Sequence, residues 1–261
     1  MTATVRRWRW AGLGAGLVVA SVAARSDGLG RGVLLAVPLF ALCCLAGVLV
    51  GELTVRSPSG DTRAADLEPR RVMSYVPRRL AYVVGATTGG FVLLLLATTA
   101  AGSPDDLGRR GRWLTRTCDA ISTQSHGPWP GSFYSIPIGL VVAVGLAAAA
   151  VTLRQVVRRP RPGGDRVADD LARGATAEAV VAACGLLVAL PLTGLALFTG
   201  GGLLGIGCRP LWWTPVGWSL VTVSLPLLAF SFWCAALLVP RRDAAPRAGK
   251  GRQADQPVNR P

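Results

Sequence analysis

Side chains that do chemistry are scarce in this chain. Of its 261 residues one is His, one is Lys and only 14 are acidic. The single histidine, His126, has no companion His, Cys or paired carboxylate at ligand spacing. That excludes the familiar zinc constellations and a histidine-centred catalytic site. Six cysteines are present, but no Cys-x-x-Cys, which argues against a dithiol redox centre. Long polar stretches are missing too: the longest segments between apolar runs, Glu52 to Arg79 and Ser103 to Ser132, are far below the size at which a soluble core supports itself. The most informative absence is of charge. Trp10 to Ala24, Gly32 to Gly51, Leu80 to Gly102, Phe133 to Leu153, Ala179 to Thr199 and Val216 to Val239 contain no charged residue at all.

A hydrocarbon core of about 30 Å is crossed by about 20 residues of helix, so five of these runs are long enough to span, and Trp10 to Ala24 is short for the task. The expected fold is therefore all-α, a polytopic membrane bundle of six transmembrane helices occupying residues 1–240. A polar tail, residues 241–261, lacks the large apolar residues needed for a core and is expected to be disordered. Basic residues set the orientation. With the N-terminus inside, the inner segments hold 21 of the 28 Lys and Arg, and the outer segments hold Arg25, Arg31, Arg109, Arg110, Arg112, Arg116 and Arg209. Because Lys and Arg in short loops resist translocation, this bias places both termini in the cytoplasm. The net charge of +14 then calls for anionic lipid head groups at the cytoplasmic face and for no nucleic-acid partner.

Residues 6–25 also read as a secretory signal peptide, with a basic start, a short apolar run and Val22-Ala23-Ala24 as a cleavage site. The uncleaved span is preferred, since Trp8 and Trp10 can anchor it at the interface and a sixth span brings the termini to one side. Trp129, Trp212, Trp213 and Trp218 fall where outer loops meet spans, as an aromatic belt would. Tyr75 and Tyr82 bracket the inner end of the third span.

The decapeptides PSGDTRAADL (Pro58 to Leu67) and PGGDRVADDL (Pro162 to Leu171) match at six positions. Each precedes a span, an outer loop with one Cys, Pro and Trp, and another span. Two readings stand: a parallel two-helix repeat about the membrane normal, or loops alike in composition.

Cys43, Cys44, Cys184 and Cys234 lie within spans, beside no His or carboxylate, and read as small apolar residues. Cys118 and Cys208 lie outside the spans on the same, external side, where oxidation is allowed, so a disulfide between them is expected. Span interiors contain no ionisable group of the kind that ion-coupled carriers retain. Glu52 and Glu178, at the cytoplasmic ends of the second and fifth spans, are the polar-site candidates, with His126 in the third to fourth outer loop. Pro38, Pro137, Pro191 and Pro226 interrupt spans. Gly12 with Gly16, Gly47 with Gly51 and Gly85 with Gly89 form small-residue pairs suited to close packing. Leu67, Val72, Tyr75 and Val76 could line a short surface helix.

The stretches GELTVRSPSGDTRAADLEPRRV from Gly51, GPWPGSFYS from Gly127 and AEAVVAACGLLVALPL from Ala177 resemble uncharacterised six-span integral membrane proteins of GC-rich actinobacteria. The dominance of Arg over Lys and the abundance of Ala, Gly and Pro agree with such a genome. The resemblance implies the bacterial plasma membrane as location and brings no activity, cofactor or catalytic residue. The expected role is a non-enzymatic structural or interaction component of the cell envelope, with a homo-oligomer or a cytoplasmic protein as partner. The alternative is a permease, or a transporter's membrane subunit, for a neutral or lipid-like solute. A membrane enzyme would need His126, Asp119 and Arg116 in one pocket.

Overall fold

The structure, a computed structural model, describes residues 3–26, 31–54, 75–158 and 166–239. In chain order they form helices α1 (Ala3–Arg25), α2 (Arg31–Leu53) and α3 (Arg78–Ala101), strands β1 (Leu114–Thr117) and β2 (Thr123–His126), then helices α4 (Ser132–Arg158), α5 (Arg166–Gly205) and α6 (Trp213–Leu238). Five helices, all but α1, are long and apolar enough to cross a membrane, with mean hydropathies of 2.0 to 2.8. In hydrocarbon every backbone group must pair within its own segment, which is why these runs form unbroken helices. Pro38, Pro137, Pro191 and Pro226 all lie inside helices rather than ending them. α1 has 23 residues, but its Arg, Trp and Gly content leaves it less apolar than the rest.

Much of the helix exterior is apolar. Leu93, Leu96, Leu140, Leu225 and Phe232 are exposed around α3, α4 and α6. A surface of this kind suits lipid, and together with the five apolar helices it describes a multi-pass membrane protein. The core is organised by α5. Of its membrane-length window 83% is buried, against 17% for α3 and for α6. Helices α2, α3, α4 and α6 all pack on it. Its small and β-branched residues, among them Ala179, Val180, Ala182, Ala183, Val188 and Ala189, let four neighbours come close at once.

Helix α5 is longer than the charge-free run Ala179 to Thr199 suggests. Its 40 residues would extend about 60 Å, twice the hydrocarbon thickness. Charges mark where a helix leaves lipid, but they do not end it when partners are at hand, as they are for Asp170 and Arg173. The most extensive pairings are α1 with α2 and α5 with α6, whereas α3 and α4 touch each other little and meet α5 separately. The decapeptide Pro58 to Leu67 and residues 162–165 of the other copy lie outside the described residues. So do Leu67 and Val72 of the expected surface helix, and the tail 241–261.

Close packing of α1 on α2 depends on glycine. A Cβ at Gly12 would come within 2.9 Å of the Gly47 Cα, and one at Gly47 within 2.7 Å of the Trp8 carbonyl oxygen. Gly85 and Gly89 differ, since a Cβ at either would meet nothing within 4 Å. That third small-residue pair therefore seats no helix among the described residues.

The bundle is all-α as expected, and the loop between α3 and α4 adds one small β-hairpin. Strands β1 and β2 pair antiparallel, Leu114 opposite His126 and Thr117 opposite Thr123. Thr115, Thr117 and Thr123 suit extended backbone, yet two four-residue strands are marginal alone. The hairpin is held by what surrounds it.

Candidate functional site

Two polar assemblies stand at opposite ends of the bundle. One gathers at the terminal end, where α1 begins and α6 finishes. Arg9 on α1, Glu52 on α2 and Thr176 on α5 are each at least nine-tenths buried. Arg9 Nη2 donates to Thr176 Oγ1 at 3.1 Å, and Thr176 Oγ1 lies 2.9 Å from Glu52 Oε1 and 3.1 Å from the Ala172 carbonyl. A hydroxyl has one proton and two lone pairs, so Thr176 accepts from Arg9 and donates to the carboxylate, the better acceptor. Glu52 also attracts the Arg9 charge directly. One turn earlier on α5, Arg173 is 2% exposed and its Nη1 donates to the Val156 and Val157 carbonyls, at 2.9 and 3.4 Å, near the end of α4. Those carbonyls belong to the last turn of a helix, where intrahelical donors run out and a cation is favoured. Tyr75 Oη donates to Asp170 Oδ1 at 3.1 Å, adding the segment before α3. This cluster joins four helices and the segment before α3.

Of the acidic candidates, Glu52 is thus embedded as a ligand of buried partners, whereas Glu178 is half-buried on α5. Arg9, Thr176 and Arg173 were missed by a sequence reading that treated every Arg as a topology marker. A usable signal existed in the glycine pair: stepping back from Gly16 and Gly12 by helical intervals reaches Arg9 and Val5, and all four are buried.

At the hairpin end, Cys118 and Cys208 form the expected disulfide, with Cα atoms 5.6 Å apart. Gln124 Oε1 on β2 accepts the backbone N–H of Gly207 at 2.7 Å and of Cys208 at 3.4 Å, fastening the hairpin to the turn between α5 and α6. Trp129 is 2% exposed and packs with Leu114, Leu203 and Ile206, while its Nε1 donates to the Thr98 carbonyl at 2.9 Å. It anchors the cap to α3 instead of facing lipid, unlike Trp212 and Trp218, which are exposed. His126 is half-buried rather than free in a solvated loop: its ring lies against Gly202 and Gly205 of α5, positions where any Cβ would collide with the cap.

Asp105 organises the preceding loop. Its Oδ1 accepts the backbone N–H groups of Arg109 (2.7 Å) and Leu107 (3.1 Å), and its Oδ2 accepts Arg109 Nε at 2.7 Å, with Arg112 Nη1 at 3.8 Å. Burial pushes this carboxyl up, but the hydrogen bonds and the Arg109 charge outweigh it and hold the pKa below the ordinary carboxylate value. Arg209 caps α5, its Nη1 donating to the Leu204 carbonyl at 2.7 Å and its Nε to Thr214 Oγ1 at 3.0 Å.

Neither assembly has the form of a catalytic centre. Asp119 accepts from Ser122 at the hairpin tip, whereas His126 pairs with Leu114 at the opposite end of the ladder, so the strands hold the two apart. Among the described residues no group of three or more His, Cys, Asp or Glu could hold a metal ion. Midway between the two ends lies an apolar groove of about 240 Å³ opening between α1 and α6, with Leu17, Phe40, Leu190, Leu228 and Phe232 in its wall. The protein is therefore a multi-pass helical membrane protein with a buried ionic clamp at one end and a disulfide-fastened cap at the other. Compared with known proteins, the chain matches no family model, no curated protein and no solved structure.

Proposed function

We propose that this chain is a six-span protein of the bacterial plasma membrane, both termini cytoplasmic, that acts as a non-enzymatic structural or interaction component of the cell envelope. The observation that carries the reading is the commitment of its polar groups. Arg9, Glu52, Thr176 and Arg173 are engaged in holding helices together, Asp105 and Arg209 in shaping the cap, and between them α5 is packed by apolar neighbours on most of its length. A machine that moves ions or catalyses a reaction keeps polar groups facing a cavity, at a cost that is sustained for function. Here they face each other.

The sixth span is α1. Its exposed Arg6 and Arg7 lie at the same end as the clamp, and the asymmetry of basic residues puts that end inside. The alternative, a permease for a lipid-like solute, is favoured by one feature, the apolar groove between α1 and α6. Its volume is below the roughly 300 Å³ at which ligand pockets usually begin. Proteoliposomes separate the two readings. The structural reading expects fluorescent phospholipid and small neutral solutes to cross at the rate of protein-free vesicles, and cross-linking in cells to capture a defined envelope neighbour or a second copy. Protein-dependent transfer, abolished by Phe40→Trp in the groove, would establish the permease instead.

A further inference from the structure

The hairpin end carries an electrostatic feature that the clamping role does not use. Five arginines, Arg109, Arg110, Arg112, Arg116 and Arg209, face three aspartates there. Asp105 is saturated by the loop it organises and Asp119 accepts from Ser122, so acceptors are in short supply. Arg116, on the same face of β1 as buried Leu114, lies with its guanidinium 5.3 Å over the ring of Trp213. Among the described residues its guanidinium has no hydrogen-bond or ion-pair partner. Its Nε and the neighbouring Trp213 Nε1 are both buried donors without an acceptor. Unsatisfied buried donors are rare and call for an explanation such as an ion not yet in place.

Everything around the pair favours negative charge. Trp213 is the first residue of α6, whose first turn contains no acidic residue and whose N-terminus has no side-chain cap. The positive end of the helix dipole therefore adds to the positive charge of Arg116. Trp213 also begins an apolar membrane-length helix, and exposed Leu211 and Trp212 precede it. Read as a span, this places Arg116 at the depth of phospholipid phosphates, with Leu211 and Trp212 beside the interface.

We propose that Arg116 and Trp213, at the start of α6, form a binding site for a phosphate-class anion, supplied by an anionic phospholipid of the outer leaflet or by free phosphate. The guanidinium offers a planar fork matched to phosphate oxygens, and the indole both orients it and adds an N–H donor. The lipid source rests on the membrane reading above; the anion site itself does not.

The test uses the full chain in neutral detergent, with native mass spectrometry after adding phosphatidylglycerol or phosphatidylcholine of equal chain length, and thermal unfolding with and without inorganic phosphate. The expected result is retention of phosphatidylglycerol over phosphatidylcholine by about tenfold, the scale of one charge-assisted contact. Arg116→Gln should abolish that preference, Trp213→Phe should reduce it, and Arg110→Gln, an exposed arginine of the same loop, should leave it intact. An intact Cys118–Cys208 disulfide reports that each variant has folded. Stabilisation by inorganic phosphate that Arg116→Gln removes, without lipid discrimination, would support the site and assign it to a free anion. Equal behaviour of wild type and Arg116→Gln in both assays would overturn the proposal. Extraction of the protein without detergent would sink the membrane reading separately.

Discussion

Thr176 is the smallest group on which the ionic clamp depends, and Thr176→Val removes its hydroxyl while nearly preserving its shape. Two contacts to charged groups disappear: the one accepted from Arg9 Nη2 at 3.1 Å and the one donated to Glu52 Oε1 at 2.9 Å. Hydrogen bonds to charges are each worth about 1.5 to 3 kcal/mol, and leaving a buried donor unmatched adds to the loss. Arg9 already has one buried nitrogen, Nε, without an acceptor, so it has no spare partner to turn to. The direct attraction between Arg9 and Glu52 survives the substitution and offsets part of the cost. The expected net loss is about 2 kcal/mol, or roughly a 30-fold shift toward unfolded protein. Titration with a denaturing detergent in mixed micelles, followed by tryptophan fluorescence, measures it. Thr176→Ser, which retains the hydroxyl, should lose far less. If Thr176→Val stays within about 0.5 kcal/mol of wild type, or Thr176→Ser is equally damaging, the hydroxyl bridge is not what fastens α1. Glycine packing would then be the whole of that interface.

Three further outcomes follow from the structure. Gly47→Ala should destabilise by about 1 to 3 kcal/mol, because its Cβ would meet the Trp8 carbonyl oxygen at 2.7 Å, while Gly85→Ala should be neutral or stabilising; paired thermal melts in detergent compare them. A membrane-impermeant maleimide should label Cys118 and Cys208 from outside the cell only after reduction, and the Cys118→Ser, Cys208→Ser double variant should lower the melting temperature. Closing a 90-residue separation would contribute about 4 to 5 kcal/mol in a soluble chain, and less here because the spans already confine the unfolded state. Because the folded pKa of Asp105 lies below its unfolded value of about 3.9, its contribution is complete above that value and is lost as pH falls through the lower folded one. Proteolysis of the cap should therefore be unchanged from neutral pH down to about 5 and rise only well into the acid range, a rise absent in Asp105→Asn.

Much of this protein was legible from its residues because a bilayer leaves few choices. Charge-free runs of about 20 residues in lipid must be helices, and five of the six lie in helices long and apolar enough to cross a membrane. Counting the runs between Cys118 and Cys208 put the two cysteines at one end, and they pair there. Where reading by composition failed, the cause was tertiary context. Thr115, Thr117 and Thr123 form strands because a disulfide, Gln124 and Trp129 hold the segment against helix ends, and no local pattern announces that combination. Helix α5 continues through Asp170 and Arg173 because Tyr75, 95 residues away, donates to Asp170, and the Val156 carbonyl, 17 residues away, accepts from Arg173.

The amino-acid sequence by itself determined which runs are long and apolar enough to cross a membrane, since that is set by transfer of side chains and backbone between water and lipid. Only the tertiary structure decided that α5 is the central helix and that Arg9 and Glu52 are internal partners. It also left the Arg116 guanidinium without a counter-charge among the described residues. Those outcomes depend on which helix faces meet, and hydrophobicity, being non-directional, cannot specify them.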